Sequence, residues 1–109
     1  YLPIPADPRL RRVTDRLTVD PGMRAGLDAW AKKAGASART LARLFVKETG
    51  LTFGAWRQQA RLLRALEWLA EDRPVTSIAL DLGYESPSAF IAMFRRAVGS
   101  TPGRYLKGR

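Results

Sequence analysis

The stretch IALDLGYESPSAFIAMFRRAVG, residues 78–99, has the spacing of two short helices joined by a tight turn. Its first apolar positions recur at helical spacing and stop at Gly83, a residue that ends helices at low cost because it tolerates positive φ. Ser86 and Pro87 then suit the cap and the first position of a new helix. This second helix is predicted to bury one apolar stripe: Phe90, Phe94 and Val98.

The same arrangement occurs earlier in the chain. Ala31 and Gly35 precede Ala79 and Gly83 by 48 residues. Past the turn the separation is 49 residues, and it relates four further pairs: Leu41 and Phe90, Phe45 and Phe94, Gly50 and Gly99, Trp56 and Tyr105. A small alanine lets the helices approach closely, and an aromatic residue fills the corner. Each copy has the pattern of a helix-turn-helix, although two helical hairpins that bind no ligand would have the same spacing.

Caps and breakers continue through the rest of the chain. They predict helices at about 8–18, 24–34, 38–49, 53–71, 76–82 and 87–98, and a last turn or two that begins at Thr101 and Pro102. No stretch alternates with period two over a useful length. The fold class is therefore predicted to be all-α.

The charge of the chain is strongly unbalanced. Nineteen Lys and Arg against ten Asp and Glu leave a net charge of +9 in 109 residues. An excess of this size favours a polyanionic partner, nucleic acid first and an anionic membrane second. No run approaches the roughly 18 to 20 apolar residues that span a bilayer. We expect a soluble, intracellular protein, and a fragment of a longer one because it begins with Tyr1 rather than Met.

Cysteine and histidine are both absent. Disulfides are thereby excluded, and the usual zinc sites and histidine-based catalytic triads lack their ligands and bases. The acidic residues are scattered, and the pair Glu71 and Asp72 lies at a predicted helix end, where solvation explains it. We expect no enzymatic activity, no cofactor and no metal.

The segments IALDLGYESPSAFIAMFRRAVGSTPGRYL, residues 78–106, and SARTLARLFVKETG, residues 37–50, carry a family resemblance. From about residue 8 the chain strongly resembles the DNA-binding domain of the AraC/XylS family of bacterial transcription regulators. The resemblance implies a seven-helix domain in which a long linker helix joins two helix-turn-helix modules. Each module would present its second helix to the DNA major groove.

The resemblance also sets the expected organisation of the chain. Residues 1–7 are predicted to be a tail or linker, and residues 8–109 the domain, with the first helix-turn-helix at about 24–50, the linker helix at about 53–71 and the second helix-turn-helix at about 75–99. Family members commonly carry a separate effector or dimerisation domain, and none is visible here. We expect double-stranded promoter or operator DNA as the partner, RNA polymerase as a partner of the intact regulator, no membrane, and a bacterial cytoplasmic, nucleoid-associated location.

The first module offers arginines on the outer side of its second helix. With Leu41 and Phe45 directed inward, Arg39 and Arg43 lie on neighbouring turns of the outer side. Their guanidinium groups match O6 and N7 of guanine. The resemblance implies base contacts from four positions: Arg39, Thr40, Ala42 and Arg43. Alternatively, Arg43 pairs with a carboxylate such as Glu48.

The second module has a more apolar outer face. The positions predicted to meet bases are Pro87, Ser88, Ile91 and Ala92, whereas many family members carry polar or arginine side chains at the last two. Alanine and isoleucine can contact the C5 methyl of thymine but discriminate less than a bidentate arginine. Ile91 could instead pack against a helix. Arg95 and Arg96 are predicted to contact phosphates.

Further phosphate contacts are predicted from helix starts and from α-helical arginines. Free amides at a helix N-terminus suit an anion, helped by three hydroxyls that are also ordinary capping groups: Ser37, Thr76 and Ser86. Arg57, Arg61 and Arg104 are predicted to neutralise the backbone, with a solvated helix face as the alternative. The three tryptophans are predicted to be core residues. A basic helical module that binds proteins rather than specific DNA is the alternative function.

Overall fold

The computed structural model describes residues 2–107, and of Lys107 only the backbone. Seven helices follow one another: α1 (Pro8–Val19), α2 (Leu27–Ala34), α3 (Ala38–Thr49), α4 (Phe53–Ala70), α5 (Val75–Asp81), α6 (Pro87–Val98) and α7 (Pro102–Lys107). No strand occurs among the described residues, and the predicted all-α, seven-helix fold is confirmed. None of these helices is both long and apolar enough to cross a membrane.

Local signals set most of the helix ends. Side-chain oxygens accept hydrogen bonds from first-turn amides at the starts of α1, α3, α4 and α6, and they belong to Asp7, Ser37, Thr52 and Ser86. Gly50 and Gly99 end α3 and α6 with φ of 78° and 91°, a region that disfavours any residue with a Cβ. Helix α2 begins later than the predicted start near residue 24, because Gly26 has an extended backbone and serves as the N-cap.

Two clusters of buried side chains form the interior. The first lies between α1, α2, α3 and the first half of α4: Leu10, Val13, Leu17, Ala31, Leu41, Phe45, Trp56 and Ala60. The second lies between the second half of α4, α5 and α6: Ala65, Leu69, Ile78, Ala79, Leu82, Phe90, Met93 and Phe94. We call the parts around these clusters the first module and the second module; α4 belongs to both.

Matched positions of the sequence repeat have equivalent places in the two modules. In the first module the rings of Phe45 and Trp56 meet edge-on, with centroids 6.1 Å apart and planes at 90°. In the second, Phe94 and Tyr105 meet in the same way at 5.7 Å and 74°. The repeat therefore corresponds to two similar packing units.

The buried stripes differ from the predicted ones at a few positions. On α4 Ala65 is fully buried, whereas Ala70 is exposed. Ala70 lies about 100° around the helix from the buried Leu69 and is the last residue of α4, so it faces solvent. On α6 Met93 joins the core, while Val98 is only partly buried.

The three tryptophans pack on the interior to different extents. Trp56 is fully buried, as predicted. Trp30 and Trp68 are partly buried beside the first and the second cluster respectively. These two rings cover the edges of the clusters rather than filling their centres.

The segment before α1 lies against the first module although it forms no helix. The indole Nε1 of Trp56 donates to the carbonyl oxygen of Pro3 at 2.7 Å. The amides of Ala6 and Asp7 donate to Oε1 of Glu48 at 2.7 and 2.9 Å. These bonds anchor the segment, and the domain boundary at the start of α1 stays a prediction, as do the bounds of the two helix-turn-helix units.

Candidate nucleic-acid interface

Helix α3 is held by one buried side and presents the opposite side to solvent. Leu41 and Phe45 are fully buried, and the Phe45 ring also meets Phe53 edge-on at 5.8 Å. The four residues predicted to contact bases are exposed together on the outer side of this helix: Arg39, Thr40, Ala42 and Arg43. The first module therefore brings its predicted base-contacting residues to one surface.

The surface beside α3 is a shallow cavity of about 300 Å³ with basic walls. Thr40, Arg43 and Lys47 line it from α3, and Arg9 lines it from α1. Arg9 was not among the residues predicted for this surface, because the helix that α1 faces is decided by tertiary packing rather than by a local pattern. Its guanidinium is held by the carboxylate of Asp7 at 3.0 Å, and hydrogen bonds from Arg9 hold the pKa of that carboxyl below its ordinary value.

The alternative partner considered for Arg43 is engaged elsewhere. The Glu48 carboxylate accepts hydrogen bonds from the backbone amides of Ala6 and Asp7. Within the described residues no ion pair joins Glu48 to Arg43. Arg43 is exposed and points its charge into the α3 cavity. A partner from outside the chain has free access to it.

Helix α6 presents a wider and more apolar cavity of about 620 Å³. Its lining comes almost entirely from the outer side of this helix: Ser88, Ile91, Ala92, Arg95, Arg96 and Thr101. Ser88, Ala92 and both arginines are exposed, while Pro87 is half-buried. An apolar floor flanked by two arginines suits a ligand that combines apolar groups with negative charge.

Ile91 combines the two roles considered for it. Its side chain is half-buried and packs against the second cluster, and it also lines the α6 cavity. The position lies about 100° around the helix from Phe90, at the border between the buried and the exposed side. One flank of the isoleucine therefore contributes to the core, and the other remains available to a ligand.

The predicted phosphate contacts at helix starts have different local structures. The Ser37 hydroxyl accepts from Thr40 N at 3.0 Å, and the Ser86 hydroxyl accepts from Ala89 N at 3.2 Å. Thr76 lies inside the first turn of α5, whose N-cap is Pro74, and it makes no capping bond. Ser37 and Ser86 thus start α3 and α6, the two helices that carry the predicted base contacts, whereas Thr76 lies on α5, so the three hydroxyls are not equivalent as anion sites.

The basic side chains of α4 and α7 also differ in surroundings. Arg104 is exposed on α7. Arg61 is half-buried, and its Nε donates to the carbonyl oxygen of Pro21 at 2.9 Å. Arg57 Nη1 reaches the carbonyl oxygen of Ala25 at 3.5 Å. Neither α4 arginine lies on a simple solvated helix face, because the loop between α1 and α2 folds over both, a placement that no local pattern indicates.

Burial near this loop shifts the pKa values of two side chains, Arg57 and Tyr84. Burial, and secondarily the charge of Arg61, lowers the pKa of the Arg57 guanidinium. Burial raises the pKa of the Tyr84 phenol, against the opposing effect of Arg61. Among the described residues no group of three or more acidic side chains is placed to hold a metal ion.

Comparison with known proteins identifies several relatives of this chain. A family model described as a helix-turn-helix domain matches residues 30–108. The regulator NimR of Escherichia coli K12 is 43% identical over 106 residues, which are 97% of this chain and 39% of NimR. The regulator RipA of Corynebacterium glutamicum is 36% identical over 98% of this chain and 32% of its own length. The chain therefore spans well under half of these two relatives.

A shorter relative is matched over most of its length. The regulatory protein SoxS of Escherichia coli K12 is 42% identical over 80 residues, which are 72% of this chain and 75% of SoxS. These matches support a DNA-binding transcription regulator over a basic protein-interaction module. The family is not typically enzymatic.

Solved structures give the same result for the fold. The C-terminal domain of AraT, a response regulator from Geobacillus stearothermophilus, has a TM-score of 0.84 at 26% identity, over 94% of this chain and 87% of that one. The DNA-binding domain of the global transcriptional factor AdpA, solved with a target DNA, has a TM-score of 0.82 at 30% identity, over 94% and 93%. With the helix-turn-helix match over residues 30–108 and the similarity to SoxS, they establish that the chain belongs to the AraC-type family of helix-turn-helix transcription regulators.

Proposed function

We propose that this domain binds specific double-stranded DNA by placing α3 and α6 in two successive segments of the major groove. The observation that carries the proposal is the shared design of the two helices. Each is fixed by buried aromatic residues on one side and exposes a cavity with arginines on the other. Among the described residues no ion pair involves the side chains of the four arginines on these exposed sides: Arg39, Arg43, Arg95 and Arg96.

The dimensions of the domain support two contacts rather than one. Its longest extent is 46 Å, and the other two are 23 and 21 Å. Successive major-groove segments on one face of B-DNA lie about 34 Å apart. An elongated body of this size can span that distance with one module at each segment.

The two modules are proposed to read DNA in different ways. In the first, Arg39 and Arg43 donate to guanine O6 and N7, with Thr40 and Ala42 beside them. In the second, Ile91 and Ala92 contact thymine C5 methyl groups, next to Pro87 and Ser88. The first module would then supply most of the base-edge hydrogen bonds, and the second more of the shape and methyl recognition.

Phosphate contacts are proposed around both helices. The residues are Ser37, Thr76, Ser86, Arg95, Arg96 and Arg104, together with the remaining N–H groups of Arg57 and Arg61. The last two also bind carbonyl oxygens of the loop between α1 and α2, so a phosphate would have to share them. Hydroxyl and amide groups at helix starts favour an anion through the helix dipole.

Selection of bound duplexes from a random library, followed by footprinting, tests the proposal. We expect protection of two short segments on one face of the DNA, about one helical turn apart, with guanines protected under α3. Protection of a single segment of about 5 base pairs, with none one turn away, would contradict the two-helix geometry.

The cellular setting is proposed on the same basis. The intact protein is proposed to act in the bacterial cytoplasm on nucleoid DNA, with an effector-binding part outside this chain and RNA polymerase as a partner. Relatives that are longer than this chain support the additional part. In the corresponding test, the intact protein and purified RNA polymerase are combined with and without the selected duplex. We expect the intact protein to recruit the polymerase to the duplex, and the association to be lost when the duplex is left out.

A further inference from the structure

The two modules touch at a second place besides α4. The loop between α1 and α2, residues 20–26, lies against the turn between α5 and α6. A Cβ on Gly22 would overlap the carbonyl oxygen of Asp81 and lie 3.1 Å from the amide nitrogen of Gly83. A Cβ on Gly83 would lie 2.7 Å from the carbonyl oxygen of Gly22. Backbone meets backbone here, and neither glycine leaves room for a side chain.

Side chains from both sides hold this contact. Arg24 Nη2 donates to the carbonyl oxygen of Gly83 at 3.3 Å, which connects the loop directly to the turn. Arg61 Nε donates to the carbonyl oxygen of the buried Pro21 at 2.9 Å. The guanidinium carbon of Arg61 also lies 5.5 Å from the centre of the Tyr84 ring, immediately after the turn. One arginine of α4 thus contacts both partners of the junction.

This second contact restricts relative motions of α3 and α6 that α4 alone cannot restrict. Long helices bend and twist gently, so α4 alone would let α6 swing relative to α3. The junction lies beside α4 rather than on it, and two separated points of attachment fix an angle. The Gly83 turn leads directly into α6, so any displacement of the turn displaces this helix.

We propose that Gly22 and Gly83, supported by Arg24 and Arg61, are positioning residues that fix the spacing and the rotational phase of α6 relative to α3. The inference rests on the proposed two-segment DNA binding. It assigns the preferred spacer between the two DNA segments to the backbone contact between Gly22 and Gly83, two residues that are not among the proposed DNA contacts. One added base pair moves the second segment by about 3.4 Å and rotates it by about 34°, and a rigid junction cannot follow both.

The first measurement uses DNA. Gly22→Ala introduces the clash, and Gly26→Ala in the same loop is the matched control, since a Cβ there meets nothing within 4 Å. Affinities are measured on the selected duplex and on versions with one base pair added to or removed from the spacer. We expect Gly22→Ala to lose about tenfold on the original spacer and to bind all three within about twofold, because the second helix then engages as a loosely tethered unit. Gly26→Ala should keep the spacer profile of the unmodified domain.

The second measurement needs no DNA and therefore separates failure of the junction from failure of DNA binding. The chain has no cysteine, so Val46→Cys and Ala97→Cys, both exposed, provide two unique spin-label sites on α3 and α6. We expect Gly22→Ala to broaden or shift the distance distribution and Gly26→Ala to leave it unchanged. If Gly22→Ala prevents folding, Arg24→Ala replaces it, with a smaller change in the same direction.

The results assign a failure to one proposal or the other. An unchanged distance distribution in folded Gly22→Ala would overturn the positioning role whatever the DNA result. An unchanged spacer profile in that variant, where the unmodified domain discriminates spacers, would overturn it as well. If the unmodified domain did not discriminate spacers while Gly22→Ala still changed the distance distribution, the two-segment binding mode would be rejected and the positioning of α6 by the junction would stand.

Discussion

Ile91 is the residue at which packing and recognition meet. It is half-buried against the second cluster and also lines the α6 cavity. We expect Ile91→Ser to lower the free energy of unfolding by about 1 to 2 kcal/mol, below the range for a fully buried residue because one flank is already exposed. Urea unfolding measures this loss. Ala92→Ser, at an exposed neighbouring position, should leave the unfolding free energy nearly unchanged.

The recognition role of Ile91 has its own measurement. Replacing thymine by uracil in the bound duplex removes only the C5 methyl group. If Ile91 contacts that methyl, uracil should weaken binding of the unmodified domain by about 1 kcal/mol at the thymine concerned and should not weaken Ile91→Ser further. Equal losses for both proteins at every thymine would place the isoleucine in a packing role only.

Arg39 is expected to read bases. It is exposed on the outer side of α3 and has no ion pair within the described residues. Arg39→Ala should cost about 1 to 3 kcal/mol on the selected duplex and relax the preference at one or two base pairs. Binding to each single-base variant of the site measures the relaxation. A loss of the same size on random duplexes would remove the base-reading role.

Arg96 is expected to act through charge alone. Arg96→Ala should weaken binding to all sequences by a similar factor and make the salt dependence shallower by about one unit in the slope of log K against log salt. Titrations at several salt concentrations, with Arg39→Ala in parallel, measure the contrast. A change in base preference for Arg96→Ala would mean that this side chain reaches a base edge.

At the scale of the helices, sequence signals with a local cause predicted the structure well. The caps at Ser37 and Ser86 depend on residues within a few positions, and both have the predicted capping role. The start of α2 was predicted too early because Met23, Arg24 and Ala25 carry no strong breaker, whereas the actual cap is Gly26. A weak capping signal decided the helix start, and periodicity did not reveal it.

Features that depend on tertiary packing could not be predicted from local sequence patterns. Arg57 and Arg61 of α4 were predicted to neutralise the DNA backbone or to lie on a solvated helix face, yet Arg61 binds a carbonyl of the loop between α1 and α2. Arg9 joins the α3 cavity from a helix about thirty positions earlier. Both outcomes depend on where a loop and a helix lie relative to residues distant in sequence. The contact between Gly22 and Gly83 could not be predicted for the same reason, because the sequence around one glycine does not indicate the other as its partner.

The start of α6 allows stability and DNA binding to be separated. The Ser86 hydroxyl caps the helix through Ala89 N. Ser86→Ala should lower the free energy of unfolding by about 1 kcal/mol, whereas Ser86→Asp should preserve it because aspartate caps equally well. If a phosphate lies at this helix start, the added negative charge should weaken binding to all sequences in Ser86→Asp more than in Ser86→Ala. Equal affinities of the two variants for random duplex DNA would show that no phosphate is bound there.

At the scale of the whole molecule, α4 connects two small interiors. Among the residues that the structure describes, each cluster contains eight buried ones, and a unit of this size is marginal on its own because small domains bury little surface. The first cluster uses Trp56 and Ala60 of α4, and the second uses Ala65 and Leu69 of the same helix. Loss of one cluster would fray the helix that the other requires. We therefore infer that the two modules unfold together, which also keeps the two recognition helices in fixed relation.

Cooperative unfolding can be tested with a substitution in only one cluster. Leu41 is fully buried in the first cluster, and Leu41→Ala should lower the free energy of unfolding by about 2 to 5 kcal/mol. Hydrogen exchange then reports each helix separately. In a cooperative domain the slowest amides of α6 accelerate by the same factor as those of α3, roughly tenfold for each 1.4 kcal/mol. Val46→Ala, at an exposed position of the same helix, should change neither rate much. If the α6 amides kept their original rates while those of α3 accelerated, the second module would remain folded without the first, and α4 would serve as a tether between independent units rather than as a shared element of their cores.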